Sequence, residues 1–158
     1  MTKEEALARL AESRRVLHQA IEGLSEEEMT QPQVEGVWTI KDVLGHIASW
    51  EETCLEPLRR YADGSPFEVQ VIEDYMAWND EQAARKRDVP LDAILDELAT
   101  IRQGLVEAAS RLSARQWKER VPFSWGGQGT IAEVLDVFYQ HELEHVRSIQ
   151  RWRGGGSQ

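Results

Sequence analysis

The chain has 158 residues, 41% hydrophobic and 29% charged, with a formal net charge of −10. That length suits one domain able to bury a real core. The acid excess argues against nucleic acid and anionic membrane as partners, because phosphate contacts need clustered Lys and Arg.

No apolar run approaches the ~20 residues that cross a bilayer. The opening Met1-Thr2-Lys3-Glu4-Glu5 lacks the apolar core of a secretory signal. A cytoplasmic protein is therefore expected. Cys54, the one cysteine, cannot form an internal disulfide, and it falls on an apolar helical stripe, which makes it buried filler.

Helix starts are marked by capping boxes, in which Ser or Thr pairs with an acid or Gln three residues on. They occur at Thr2/Glu5, Ser25/Glu28, Thr39/Asp42, Ser113/Gln116 and Thr130/Glu133, and Pro90 suits a first helical position. The first helix is predicted over residues 2–23, with Leu7, Leu10, Leu17, Ile21 and Leu24 on one face. A short turn over 25–29 and a loop rich in Gln, Pro and Gly follow. The second helix is predicted over 39–61, with Ile40, Val43, Leu44, Ile47, Cys54 and Leu58 on its stripe. A connecting helical segment covers 67–87, a long helix 90–112 and a last one 130–152.

No strand-period alternation is long enough to assign. The fold class is therefore all-α, a four-helix bundle with a connecting helical segment and one crossover. Residues 1–153 form a single domain, and 154–158 a flexible tail. The irregular stretch 117–129, carrying Phe123 and Trp125, is expected to lid one end of the bundle. The groups Arg85-Lys86-Arg87 and Arg147, Arg151 and Arg153 read as solvated helix faces.

Of the four histidines, His141 and His145 sit in His141-Glu142-Leu143-Glu144-His145. An i, i+4 spacing puts two imidazoles on one helical face, about 6 Å apart at the backbone. At roughly 100° per residue, His145 falls near the middle of the apolar stripe set by Ile131, Val134, Leu135, Phe138 and Ile149, and His141 lies close by. Glu142 shares that inward face, whereas Glu144 points to solvent. A buried acid without a partner costs several kcal/mol or takes up a proton, and a metal cation would remove that penalty.

The stretch also fits H-E-x-x-H, the helix motif of zinc proteases. That motif needs a third ligand, and nothing after His145 can serve. A third ligand must come from upstream, and His46 lies on the flank of the second helix. Three imidazoles leave positions open for water, as catalytic sites do. Imidazole ligation suits zinc, nickel, iron or copper, with zinc or nickel expected. Glu142 is the candidate catalytic base or orienting acid. Trp38, Trp50, Trp78 and Trp125 are candidate walls of a substrate pocket, and His18 is read as structural.

The segment Val37-Trp38-Thr39-Ile40-Lys41-Asp42-Val43-Leu44-Gly45-His46-Ile47-Ala48-Ser49-Trp50, with the late His141-x3-His145, resembles the signature of the DinB/YfiT-like family. Trp78-Asn79 also resembles the subgroup related to colibactin self-resistance proteins. The resemblance implies an up-down-down-up bundle, a homodimer, and a metal triad on His46, His141 and His145. It further implies a metal-dependent enzyme acting on a small-molecule substrate in stress or detoxification, as a hydrolase or a transferase using a low-molecular-weight thiol co-substrate. The alternative is a binding protein whose metal only staples helices together.

Overall fold

The structure is a computed structural model that describes residues 1–155. Its elements are α1 (Lys3–Ile21), α2 (Glu26–Thr30), α3 (Ile40–Glu52), α4 (Leu55–Ala62), α5 (Tyr75–Lys86), α6 (Leu91–Ser110), α7 (Ala114–Lys118), β1 (Val121–Pro122), β2 (Gln128–Gly129) and α8 (Ile131–Arg153). The capping boxes at Thr2, Ser25, Thr39 and Ser113 close from both sides. Thr130 accepts from the Glu133 amide without the return bond. The Glu133 carboxylate lies over Gly129 instead, where a Cβ would stand 2.1 Å from Oε2.

Contacts along the helices fix the topology. Arg9 meets Asp136 and Arg153 reaches the Ala20 carbonyl, so α1 and α8 run parallel. Gly45 faces Ile94 and Gly104 faces Leu55, so α6 runs parallel to the α3–α4 rod. Arg14 bonds the Leu98 carbonyl while Lys3 bonds those of Ser110 and Leu112, so α1 and α6 are antiparallel. The bundle is therefore up-down-down-up. Parallel neighbours need a crossover, which α5 supplies while packing on α3.

Three expected elements differ. The helix over 39–61 is two helices, because the Thr53 hydroxyl takes the Trp50 carbonyl (2.6 Å) and bonds Ser124 Oγ (2.8 Å). A hydroxyl that captures a local carbonyl competes with the helical ladder. Residues 67–74 are not helical: Ile72 N–H donates to the Ser124 carbonyl at 2.8 Å, and α5 starts only where Asp74 caps the Ala77 amide. The stretch 117–129 contains the end of α7 and a two-stranded hairpin, turned by Gly126 and Gly127 at φ 97° and 82°. The tail expected at 154–158 falls partly outside the described residues; Gly154 caps α8.

Leu10, Leu17, Ile47, Leu105, Leu135 and Phe138 are among the fully buried side chains, each contributing about 1.5–3 kcal/mol on burial. Cys54 is buried with them, and burial pushes its thiol up to about 11. Each long rod also sends one charged side chain inward. Arg102 of α6 binds Glu51 of α3 through Nε (2.9 Å) and Nη2 (2.6 Å), and reaches Glu142 of α8 at 3.0 Å. Arg14 of α1 binds the same Glu142 at 2.6 Å. Two cations and two anions thus tie four helices inside the core.

Candidate metal centre

The antiparallel pairing of α3 with α8 brings His46 opposite His141, and the i, i+4 spacing puts His145 beside it. His141 Nε2 lies 3.0 Å from His46 Nε2 and 3.0 Å from His145 Nε2. One ligand nitrogen from each ring falls within 4.8 Å of the others, and all three residues are half-buried. Burial and the neighbouring imidazoles push His46 down to about 2, with Lys86 adding to the effect; burial, then His145, pushes His141 down to about 4. These two rings are therefore neutral near pH 7.

An acid that sequence reading did not single out completes the cluster. Glu35, in the loop before α3, lies 2.9 Å from His145 Nδ1. Burial opposes its charge, but the hydrogen bond from His145 holds its carboxyl below the usual range. An ionised carboxylate only accepts, so His145 Nδ1 carries the proton and Nε2 presents its lone pair to the other rings. The loop is closed by a backbone bridge between Glu35 and Trp38, which packs the Trp38 ring on His46 at 4.7 Å. His18 is exposed on α1, outside this cluster.

The donor set fits a divalent ion. A neutral imidazole Nε2 has either one proton or one lone pair, so His141 Nε2 cannot make full hydrogen bonds to two partners at once. A shared cation accepts all three lone pairs. A tetrahedral ion held at about 2.1 Å separates its nitrogen ligands by about 3.4 Å; the two 3.0 Å contacts lie a few tenths of an ångström below that, and the three ligand atoms fall within 4.8 Å of one another.

Glu142 is placed elsewhere. Its carboxylate is fully buried, accepting from Ser13, Arg14 and Arg102, and lines no part of the cavity beside the histidines. Burial raises its pKa, but Arg102 and Arg14 outweigh that and hold it low. The partner that a buried acid at this position requires is thus an arginine pair. Arg102 falls between Ile101 and Gly104 on the buried stripe of α6, and a charged residue on an apolar stripe is the sequence signal for such a partner.

A cavity of about 290 Å³ opens beside the cluster, with His46 and His141 in its lining. Trp50, Trp125 and Phe138 wall it, Asn79 lines it, and the partly exposed Tyr75 and Val137 border it. Two of the four expected tryptophans therefore line it. Trp38 backs His46, and Trp78 packs behind Trp50 at 4.4 Å, tilted by 52°, while facing a separate groove. Tyr75, Asn79, Val137 and Phe138 join the wall without having been singled out for it.

Fold and cluster together define an up-down-down-up bundle with a three-histidine centre between α3 and α8. Residues 9–149 match the DinB superfamily, and the chain belongs to it. The uncharacterized protein YuaE of Bacillus subtilis (strain 168) is 22% identical over 139 residues, covering 82% of this chain and 86% of that one. Among solved structures, a mycothiol-dependent maleylpyruvate isomerase has a TM-score of 0.79 at 15% identity over 94% of this chain, which spans 61% of the isomerase. YfiT from Bacillus subtilis, described as a probable metal-dependent hydrolase with an unusual four-helix bundle topology, has a TM-score of 0.71 at 18% identity, over 97% of this chain and 87% of that one.

The colibactin self-resistance protein ClbS in complex with double-stranded DNA has a TM-score of 0.75 at 14% identity, over 94% of this chain and 93% of that one. That complex overturns the exclusion of nucleic acid drawn from net charge. A whole-chain sum of −10 says nothing about local patches, and Arg147, Arg151 and Arg153 are all exposed along the end of α8. Among the described residues no helix is long and apolar enough to cross a membrane.

Proposed function

We propose that the chain is a metal-dependent enzyme of hydrolase type acting on a small molecule, with the ion held by His46, His141 and His145. The observation that carries this reading is the convergence of three imidazoles beside an aromatic cavity that His46 and His141 help to line. A divalent ion there, zinc or nickel by donor type, would supply Lewis acidity to activate a water or a thiol. Glu35 keeps the proton on His145 Nδ1, so the ring is held in the ligating tautomer. Trp38 fixes His46 by packing on its face. Trp50 and Trp125 exclude bulk water from one side of the centre. Glu142 serves by holding α8 to α1 and α6, which sets the height of the neighbouring His141.

The likeness to YfiT supports the hydrolytic form. A second reading, transfer to a low-molecular-weight thiol, draws support from the likeness to the mycothiol-dependent isomerase. The two separate on the nucleophile. Zinc-loaded protein is incubated with an activated aryl ester, with and without a small thiol. Ester loss in buffer alone supports hydrolysis, loss only with thiol supports transfer, and no loss with either contradicts both.

A further inference from the structure

The cavity beside the histidines is selective because of what its wall lacks. Among the described residues no Lys, Arg, Asp or Glu lines it. The nearby Lys86 is already engaged, bonding the Gly45 carbonyl at 3.2 Å and pairing with Glu97. A charged group entering the cavity would be stripped of water with no counter-charge on the wall, which is costly.

The wall is also rigid and flat-faced. Trp50 is backed by Trp78 at 4.4 Å, and Trp125 is stacked on Phe123 at 5.0 Å and set edge-on to Phe138 at 5.7 Å. Such faces favour offset or edge-to-face contact with another ring. The Tyr75 hydroxyl is committed to the Trp125 carbonyl at 2.7 Å, which ties α5 to the hairpin. The volume of about 290 Å³ lies at the lower end for ligand sites, enough for a small substituted ring.

Asn79 offers the cavity an uncommitted polar donor. Trp50 Nε1 donates to Asn79 Oδ1 at 2.9 Å. An indole N–H can only donate, so the amide orientation is set: oxygen toward Trp50, Nδ2 away from it. Among the described residues Nδ2 has no hydrogen-bond acceptor.

Resting on the three-histidine reading above, we infer that the cavity selects a flat, uncharged aromatic substrate whose acceptor oxygen is met by Asn79 Nδ2. Asn79 is then the residue that sets specificity. Its neighbours hold the ring, and the histidine lining receives the reacting group.

The test uses zinc-loaded full-length protein and hydroxamates that share one metal-binding end. 4-Acetylbenzohydroxamate carries a neutral acceptor, 4-carboxybenzohydroxamate a charge of similar shape, and cyclohexanecarbohydroxamate no aromatic face. Calorimetry is expected to give the acetyl compound at least tenfold tighter binding than either. Asn79→Asp keeps an acceptor for Trp50 but removes the donor; it is expected to weaken the acetyl compound at least tenfold while zinc content stays that of the unaltered protein. Equal affinity for the acetyl and carboxy compounds, or an Asn79→Asp change below twofold, overturns the inference. If zinc is not bound, or no hydroxamate binds, the three-histidine reading fails on its own. The cavity inference is then decided by quenching of tryptophan fluorescence with acetophenone and benzoate. Preference for acetophenone supports it, and equal or reversed preference overturns it.

Discussion

His145 Nδ1 donates to the Glu35 carboxylate across 2.9 Å, joining α8 to the loop before α3 although 110 residues separate the two in sequence. That bond fixes which nitrogen of His145 faces His46 and His141. Removing an acid that orients a ligating histidine typically lowers metal affinity about 10–100-fold. Glu35→Ala is expected to weaken zinc binding by that factor in a chelator competition, with helical content unchanged. Unaltered affinity would show that the other contacts of His145 suffice to orient it.

The four-residue ion cluster makes a different prediction for Glu142. Taking one partner from a buried ion pair costs about 3–5 kcal/mol, because the charge left behind is uncompensated. Glu142→Leu leaves Arg14 and Arg102 short of a carboxylate each had bonded, so urea unfolding should register a loss of that size. Glu142→Gln should retain zinc. A variant that kept full stability and zinc yet lost turnover would make Glu142 the proton carrier instead.

Stability of the metal-free protein should fall with acid. An unfolded histidine titrates near 6.5, whereas burial and neighbouring imidazoles hold His141 near about 4 and His46 near about 2. Above pH 6.5 both states are neutral at these rings, and the full stability is present. Below it the unfolded chain gains protons that the fold refuses, so stability declines from 6.5 toward 4 for His141 and further for His46. Below about 4.5 the carboxyls of Glu35 and Glu142, both held low in the fold, add to the loss. Urea titrations of chelator-treated protein at stepped pH read this directly; no change between pH 7 and 5 would contradict it.

Gly104 tests the close approach of α6 to α4. A Cβ there would sit 2.7 Å from Leu55 Cδ1 and 2.8 Å from Arg59 Nη2. Overpacking of this kind costs about 1–3 kcal/mol. Gly104→Ala should lower the urea midpoint despite alanine's better helix propensity, and a raised midpoint would show that both side chains swing aside freely.

Much of the fold was legible because its signals are local. Thr39 and Asp42 cap α3 within four residues, and the apolar stripe of α8 already placed His141 and His145 inward. The break after Glu52 was not legible: the stripe through Ile47, Cys54 and Leu58 runs on unbroken, and the Thr53 hydroxyl that ends the helix also bonds Ser124, seventy-one residues later. The same distance hid the extended run before α5, anchored by Ser124, although Asp74 marked the true start. In the site, His141 and His145 follow from helical phase, and His46 from the need for an upstream ligand and the family resemblance. Glu35 does not, since it sits in a loop and its partner lies on another element. Helical phase turns Glu142 inward, where it is buried, but phase alone does not say that Arg102 and Arg14, rather than an ion, stand opposite it.

Metal analysis of protein purified without chelator bears most directly on the centre. About one equivalent of zinc or nickel is expected per chain, with near-complete loss in His46→Ala and in His141→Ala at unchanged helical content. A His46→Ala protein that still carries a full equivalent would show that α3 contributes no ligand, and the three rings would then be packing partners only.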